Sequence, residues 1–209
     1  MATIDDDTHW AERLERRRRA KVEQFRDSSR SPLPPRLRGE AFPGLAYYDP
    51  DPEYRFVVPL HEHETKERVT VETTADGATA LGAEVTVTAD GEQTYVRWGE
   101  FRFPLDDAER TLQAYRPDRD AERFWVPFRD ETNGETTYGA GRYLDLEPDT
   151  HRTDGEWVVD FNEAYNPTCA YNYAYECPMI PGENWLGVRI EAGEKDFPAD
   201  PAGPHGHDR

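Results

Sequence analysis

The sequence predicts a mainly β protein, a single antiparallel β-barrel or sandwich domain preceded by one N-terminal helix. Segments rich in Val, Thr, Tyr, Phe and Trp recur after residue 54 and are separated by turn residues. Only the segment before them has apolar residues at helical spacing. The length of 209 residues fits one domain. We expect a helical arm over 1–30, a β domain over 31–197 and a disordered tail over 198–209.

The predicted helix covers residues 8–27. Three aspartates and Thr8 precede it, and these residues favour the start of a helix because they cap free amides and complement the helix dipole. Its apolar stripe consists of Trp10, Leu14, Val22 and Phe25. Residues 16–19 are four arginines in a row. Glu12 and Glu15 stand four residues before Arg16 and Arg19, which favours a solvated face with ion pairs over a partner-binding patch.

Nine segments have the composition of strands. They are 54–60, 69–74, 85–88, 94–103, 111–115, 124–129, 136–146, 157–161 and 186–190. Turn pairs such as Asp76-Gly77 and Asp90-Gly91 separate several of them. Between the helix and the first strand, residues 31–52 contain six prolines and two glycines, which predicts an irregular connection.

The strongest hairpin signal is Asn133-Gly134. A two-residue turn there would place Trp125 opposite Arg142, Arg129 opposite Tyr138, and Phe128 opposite Gly139. One face would then carry two guanidinium groups beside two aromatic rings, those of Trp125, Arg129, Tyr138 and Arg142. Such a face could grip an anionic ligand, because arginine presents a planar fork that matches carboxylate and phosphate. The alternative is that these arginines pair with carboxylates of the chain itself.

The charge of the chain restricts its partners. Asp and Glu number 43 against 25 Lys and Arg, so the net charge is −18, and residues 1–30 carry +1 of it against −19 for the rest. Only three lysines are present. This balance disfavours nucleic-acid binding through a basic face. It favours a halophilic source, where salt screens the repulsion.

The sequence predicts a cytoplasmic protein. It has no run of apolar residues long enough to span a membrane and no apolar secretory segment at its start. Its serines, Ser28, Ser29 and Ser31, all precede the β region, and no nucleophile elbow, phosphate-binding loop, zinc-protease motif or C-x-x-C is present. These absences disfavour serine hydrolases, nucleotide-fold enzymes and zinc proteases.

Two further groups of residues could carry chemistry. His61 and His63 alternate with glutamates and could bind a metal, but the sequence offers no third ligand, so an exposed strand end is favoured and no metal site is assigned. Cys169 and Cys177 could be packed thiols, a local disulfide, or a metal or nucleophilic site.

The chain resembles a known family in several ordered motifs. They are F-R-D-x-T-x-G-x-x-T-Y-x-x-G-R-Y over 128–143, V-D-F-N-x-A-Y-N-P-x-C-A over 159–170, C-P at 177–178 and A-G-E-K over 192–195. Strings of Gly, Asn, Pro, Cys and Tyr at fixed spacing do not arise from β patterning. They are similar to the domain-of-unknown-function family numbered 1684, over roughly residues 42–197. Residues 179–183 depart from the proline run of the family. The resemblance implies no activity.

These polar motif residues are the candidate site. We expect ligand contacts from Trp125, Arg129, Arg142, Asn162, Tyr165, Asn166 and Cys169, and the candidates for acid–base catalysis are Asp130, Asp160, Glu194 and Tyr138. Asp160 and Asn162 share one face of a predicted strand, which we expect to turn toward Arg142. The favoured function is binding of an anionic or polar small molecule. The alternatives are a hydrolase or lyase and a structural or interaction protein, and the sequence indicates no cofactor or oligomeric state.

The charge distribution predicts that stability depends on salt. With −19 outside the helical arm, self-repulsion should weaken the folded state as the Debye length grows from ~3 Å at 1 M salt to ~30 Å at 0.01 M. We therefore expect the midpoint of thermal unfolding, followed by circular dichroism, to fall steadily from molar to low salt. A midpoint that does not change would contradict the assignment to a salt-rich environment.

Overall fold

The computed structural model describes residues 4–72 and 92–202. The predicted strand over 85–88, the end of the segment 69–74 and the tail beyond residue 202 lie outside the described residues. The helix is α1 Ile4–Asp27. The other regular elements are β1 Arg55–Val58, β2 Leu60–Glu72, β3 Glu92–Leu105, β4 Ala108–Arg116, β5 Phe124–Phe128, β6 Arg142–Leu146, α2 Pro148–His151, β7 Arg152–Thr153 and β8 Glu156–Asp160.

The strands form two antiparallel sheets. One has the order β1-β8-β7 and the other the order β2-β3-β4-β5-β6. Over the residues that the structure describes, neither sheet closes on itself, so the architecture is a sandwich rather than a barrel. The predicted mainly β fold with an N-terminal helix is confirmed.

The main core lies between the two sheets. Alternate residues of β5, among them Phe124 and Phe128, point inward, as the period of two in a strand requires. The ring of Phe124 lies 5.0 Å from that of Trp157 on β8, and the ring of Phe128 lies 5.1 Å from that of Phe161. The first of these edge-to-face contacts joins the two sheets directly, and the second joins the large sheet to the turn that follows β8.

The outer face of the large sheet carries a second cluster. Trp125 stacks on Tyr95 at 4.4 Å and meets the ring of Tyr143 at 5.1 Å. The segment after Cys177 covers these rings, since the Tyr143 hydroxyl donates to the carbonyl of Pro178 at 2.7 Å. The large sheet is therefore buried on both faces around β5, which explains why all five residues of β5 are buried.

The predicted register of the β5–β6 hairpin is wrong. Phe128 lies opposite Arg142 and Trp125 opposite Asp145, a shift of three residues from the prediction. An odd shift moves every side chain to the other face. Arg142 consequently points into the core beside Phe128 and not toward Trp125.

The cause is a side-chain network that closes the loop between β5 and β6. The Asn133 carboxamide accepts from the amide of Asp130 at 2.7 Å and donates to the Thr137 hydroxyl at 2.9 Å. Thr132 and Thr137 join it through their hydroxyls at 2.8 Å. These local bonds compete with a two-residue turn at Asn133-Gly134 and replace it by a longer loop. The strand predicted over 136–146 therefore begins only at Arg142.

The segment predicted as a strand over 186–190 has no regular strand pairing. It runs beside the same loop, where the amide of Leu186 donates to the carbonyl of Arg129 at 2.7 Å and the amide of Glu131 donates to Val188 at 2.9 Å. The chain then passes Gly193, whose φ of +79° favours glycine. An added Cβ there would lie 2.6 Å from the carbonyl oxygen of Phe161, so this crossing needs the missing side chain.

Helix α1 packs against the sandwich with Trp10, Leu14, Arg18 and Phe25 buried. The expected pairs Glu12–Arg16 and Glu15–Arg19 are not formed among the described residues. Arg18 is instead 3.1 Å from Glu15 and donates to the carbonyl of Tyr48 at 2.8 Å. The prediction of a solvated face is therefore wrong for Arg18. Among the described residues, no helix is both long enough and apolar enough to cross a membrane.

Candidate functional site

A cavity of about 310 Å³ opens where the start of α1 meets the small sheet, and we call it the arginine cavity. It is lined by Trp10, Arg13, Arg16, Arg17, Arg55, Thr150, His151, Val158, Asp160 and Glu163. Three of its arginines come from two successive turns of α1 and the fourth from β1. Residues three and four positions apart share one face of a helix, which is why Arg13 and Arg17 point to the same space.

The arginines outnumber the acids in this cavity. Arg17 pairs with Glu163, and Arg55 Nε lies 3.8 Å from Oδ2 of Asp160. Arg13 and Arg16 are exposed and have no hydrogen bond or ion pair with any residue that the structure describes. Four guanidinium groups against two carboxylates leave a local charge of +2 on a chain of −18. The cavity is thus a local centre of positive charge.

Asp160 forms the floor of the cavity and holds α1 in place. Its Oδ2 accepts from the indole Nε1 of Trp10 at 2.6 Å. Its Oδ1 accepts from the amide and the carboxamide of Asn162 at 3.0 and 2.9 Å. Burial raises the pKa of Asp160, and the charge of Glu163 raises it further against these hydrogen bonds. Every donor here belongs to the protein, so the carboxylate is fixed in place.

Glu163 links the cavity to α1 and α2. Burial alone would raise its pKa, but the hydrogen bond from His151 and the charge of Arg17 outweigh that effect and lower the pKa. His151 Nδ1 accepts from the amide of Glu147 at 2.9 Å, so the proton resides on Nε2, which donates to Glu163 at 3.0 Å. Both imidazole nitrogens are therefore occupied, and His151 positions Glu163.

A second cavity, of about 470 Å³, continues along α1, and we call it the wide cavity. It is lined by Leu14, Arg17, Arg18, Ala20, Lys21, Gln24, Phe25, Tyr47, Asn162, Glu163, Ala164 and Tyr165. Two of the predicted ligand residues, Asn162 and Tyr165, thus border it. The hydroxyl of Tyr47 is buried and has no hydrogen-bond partner among the described residues. Burial raises the pKa of Tyr47, so this hydroxyl is a proton donor.

Glu194 anchors the other end of α1. Its Oε2 lies 2.8 Å from Lys21 Nζ and accepts from the amide of Asn166 at 3.0 Å, and its Oε1 accepts from the Tyr171 hydroxyl at 2.6 Å. Glu194 is 1% exposed, so these contacts replace water completely. The carboxamide of Asn166 donates to the carbonyl of Lys195 at 2.7 Å. Both residues therefore fix the loop around Gly193.

Arg142 and Asp130 form a buried ion pair away from both cavities. Arg142 Nη2 donates to Oδ2 of Asp130 at 2.7 Å, and its other bonds go to the carbonyls of Ile190, Ala192 and Glu194. The other oxygen of Asp130 accepts from Thr132. The expected meeting of Arg142 with Asp160 is wrong, because the register shift pairs Arg142 with Asp130, while the carboxylate of Asp160 accepts from Trp10 and Asn162.

The remaining predicted residues lie apart from the arginine cavity. Trp125 is buried in the outer cluster, and Arg129 lies over the ring of Trp185 at 4.7 Å. The Tyr138 hydroxyl points at Sγ of Cys169, 3.7 Å away, and burial raises its pKa. The structure brings together Asp160, Asn162 and Tyr165 beside α1. Tyr165 also packs against the outer cluster that contains Trp125, whereas Arg129, Tyr138 and Cys169 border neither cavity.

The cysteines are both buried and form no disulfide. The amide of Cys169 donates to Sγ of Cys177 at 3.2 Å. The hydrogen bond from the Cys177 thiol lowers the pKa of Cys169, and burial opposes that effect. His63 Nε2 lies 2.7 Å from Oε1 of Gln113. Among the described residues, no three His, Cys, Asp or Glu side chains are grouped as metal ligands.

Sequence reasoning missed the arginine cavity. Arg13, Arg16, Arg17 and Arg55 were absent from the candidate ligand residues, although the run 16–19 and the +1 charge of the arm both indicated a basic region. The sequence did not show that α1 packs against β8, and this packing is what creates the cavity. Trp10 and Asp160 are 150 positions apart, so no local pattern connects them.

Comparisons with known proteins find one family model and a similar solved structure. The family model described as "Protein of unknown function (DUF1684)" matches residues 40–195. The solution NMR structure of an uncharacterized protein from Haloarcula marismortui is similar at 37% identity and a TM-score of 0.66, covering 92% of this chain and 97% of the other. Curated proteins give no match.

The buried pair predicts that Arg142 supports the fold. In Arg142→Lys the charge remains, but a single ammonium group cannot replace a fork that contacts Asp130 and three carbonyls. We expect denaturant unfolding to show a loss of about 3 kcal/mol, as for other broken buried pairs. The control Arg129→Lys, on a partly exposed side chain, should lose less than about 1 kcal/mol. Equal losses in the two variants would contradict the structural role.

Proposed function

The chain belongs to the DUF1684 family, and we propose that this member binds a small organic anion in the arginine cavity. The observation that carries the proposal is the convergence on one concave site of four guanidinium groups, two of which have no partner among the described residues. Exposed arginines that find no carboxylate in the described part of so acidic a chain are the groups an anion would use. A phosphate or carboxylate would receive charge-assisted, forked hydrogen bonds from them.

The dimensions and charge of the cavity narrow the class of ligand. A volume of about 310 Å³ is at the small end of ligand sites in proteins. The local charge of +2 matches a dianion such as a phosphomonoester or a dicarboxylate. Trp10 and Val158 supply an apolar wall, against which the organic part of the ligand can pack. The rest of the surface is negatively charged and repels anions, so an anion is expected to bind in this cavity and not elsewhere on the protein.

Binding is better supported than acid–base catalysis. Both oxygens of Asp130, Asp160 and Glu194 accept hydrogen bonds from protein donors. A general acid or base must reach a proton of the substrate, and these groups are each at most 7% exposed. Tyr138 is directed at Cys169 and away from the cavity.

We also propose a salt-rich cytoplasm as the place where this protein works. The charge of −18, with arginine in place of most lysines, supports this environment, and so does the similar protein from Haloarcula marismortui. Two neighbouring buried cysteines without a disulfide are typical of a reducing compartment.

The test compares anion binding by two double variants, each of which replaces two arginines by glutamine. We expect inorganic phosphate and methyl phosphate to raise the thermal midpoint of the wild type, measured in the lowest potassium chloride concentration that keeps it folded. Arg13→Gln with Arg16→Gln should weaken the affinity at least about tenfold, because two charge-assisted contacts are lost. Succinate, as a dicarboxylate, tests the second ligand class.

The control is Arg19→Gln with Arg30→Gln. It removes the same charge from exposed positions that border neither cavity. The control should bind like the wild type. Absence of any midpoint shift with all three anions, or equal loss of affinity in both double variants, would contradict the proposed function.

A further inference from the structure

The arginine cavity and the wide cavity are two parts of one groove. Arg17 and Glu163 line both of them, so the cavities meet at this ion pair. On α1, the groove follows Arg13, Arg17, Ala20 and Gln24, which are spaced by four, three and four residues and therefore lie along one flank of the helix. From Arg13 to Gln24 that flank rises about 16 Å.

The two ends of the groove differ in charge. The arginine cavity has the surplus of two positive charges described above. In the wide cavity every cation has a partner: Lys21 pairs with Glu194, Arg18 with Glu15, and Arg17 with Glu163. An anionic group is therefore attracted to one end only, and the other end is electrically balanced.

The wide cavity offers apolar surface to whatever occupies it. Leu14 and Phe25 of α1 line it together with Ala164 and Tyr165 of the sandwich. Ala20 of α1 also lines the cavity and is exposed, so its small side chain leaves the cavity open to solvent on the side of α1. Burial of a chain or ring here would be favoured by about the same amount per unit area as burial in a core.

The ion pair between the two cavities is no rigid barrier. The side chain of Arg17 is 49% exposed and that of Glu163 is 20% exposed. A pair with one half-exposed partner contributes little to stability and can rearrange. Glu163 keeps its hydrogen bond from His151 if Arg17 turns aside.

From this geometry we infer that the ligand is an amphipathic anion, with its phosphate or carboxylate head at Arg13 and Arg16 and its apolar chain along α1 in the wide cavity. The inference rests on the proposed function, because the head must bind in the arginine cavity. It goes further by assigning the chain to a second, apolar subsite. The charged end of the groove would hold the head group, and the apolar end, which adjoins it, would hold the alkyl chain.

The test is a chain-length series of monomeric alkyl phosphates and alkyl carboxylates, each kept below the concentration at which it forms micelles. Calorimetric titration of the wild type should show that affinity rises from methyl to butyl to hexyl phosphate by about fourfold per added methylene, the factor for burying one CH₂ group. The carboxylate series should show the same dependence if the head group is recognised by charge alone.

Two variants test where the alkyl chain of the ligand binds. Ala20→Trp fills the wide cavity and should abolish the dependence on chain length while methyl phosphate still binds. Ala11→Trp makes the same substitution at a position of α1 that borders neither cavity, and it should keep the dependence. Circular dichroism before titration must show that each variant is folded as the wild type is, and Gln24→Trp replaces Ala20→Trp if that variant is not.

The outcomes separate the two proposals. If methyl phosphate binds and longer chains add nothing, or if the chain dependence survives in Ala20→Trp, the amphipathic ligand is wrong and the anion site stands. If none of inorganic phosphate, methyl phosphate and succinate binds, the proposed function itself fails. If the wild type binds only vesicles of anionic lipid and none of the monomeric phosphates or carboxylates, both proposals are overturned.

Discussion

Three buried carboxylates set the constraint on which the structure depends. Asp130, Asp160 and Glu194 are each at most 7% exposed, and an unpaired carboxylate in such a place costs several kcal/mol. Each accepts at least one bond from a distant part of the chain, which for Asp130 comes from the amide of Ile190. Asp130 holds Arg142, Asp160 holds Trp10, and Glu194 holds Lys21. These bonds join the loops after β5 and β8 to the last segment of the domain, and they fasten α1 to the sandwich at both of its ends.

The candidate site is a consequence of this fastening. Trp10 and Lys21 bind carboxylates of the sandwich, and the arginines that lie between them on α1 are thereby held over the small sheet. The matched family region begins at residue 40, so three of the four cavity arginines lie outside it and only Arg55 lies inside. The motif residues of the family mainly provide the carboxylates and their scaffold. The positive charge comes from the helix.

The sequence predicted those helices and strands that depend on patterns of neighbouring residues. The Val-, Phe- and Trp-rich composition of their segments identified β5 and β8, and the apolar stripe identified α1, because each signal depends on residues close together in the chain. The hairpin register failed because Asp130, Thr132 and Thr137 supply competing hydrogen bonds that dominate over the turn preference of Asn133-Gly134. The arginine cavity could not be predicted, since it exists only after Trp10 has reached Asp160, and partners 150 positions apart leave no periodic signal.

The claim that Asp160 holds α1 against the sandwich is tested most directly by amide hydrogen exchange along α1 in Trp10→Phe. That change keeps an aromatic ring in the interface but removes the donor to Asp160, a charged and buried acceptor. Loss of a hydrogen bond to a charged group should lower the protection of α1 by about tenfold or more while the strands of the large sheet stay protected. Trp185→Phe is the matched control, because that indole is exposed and donates only to the carbonyl of Ile180. If α1 is equally protected in wild type and Trp10→Phe, the buried carboxylate does not hold the helix and the central claim is contradicted.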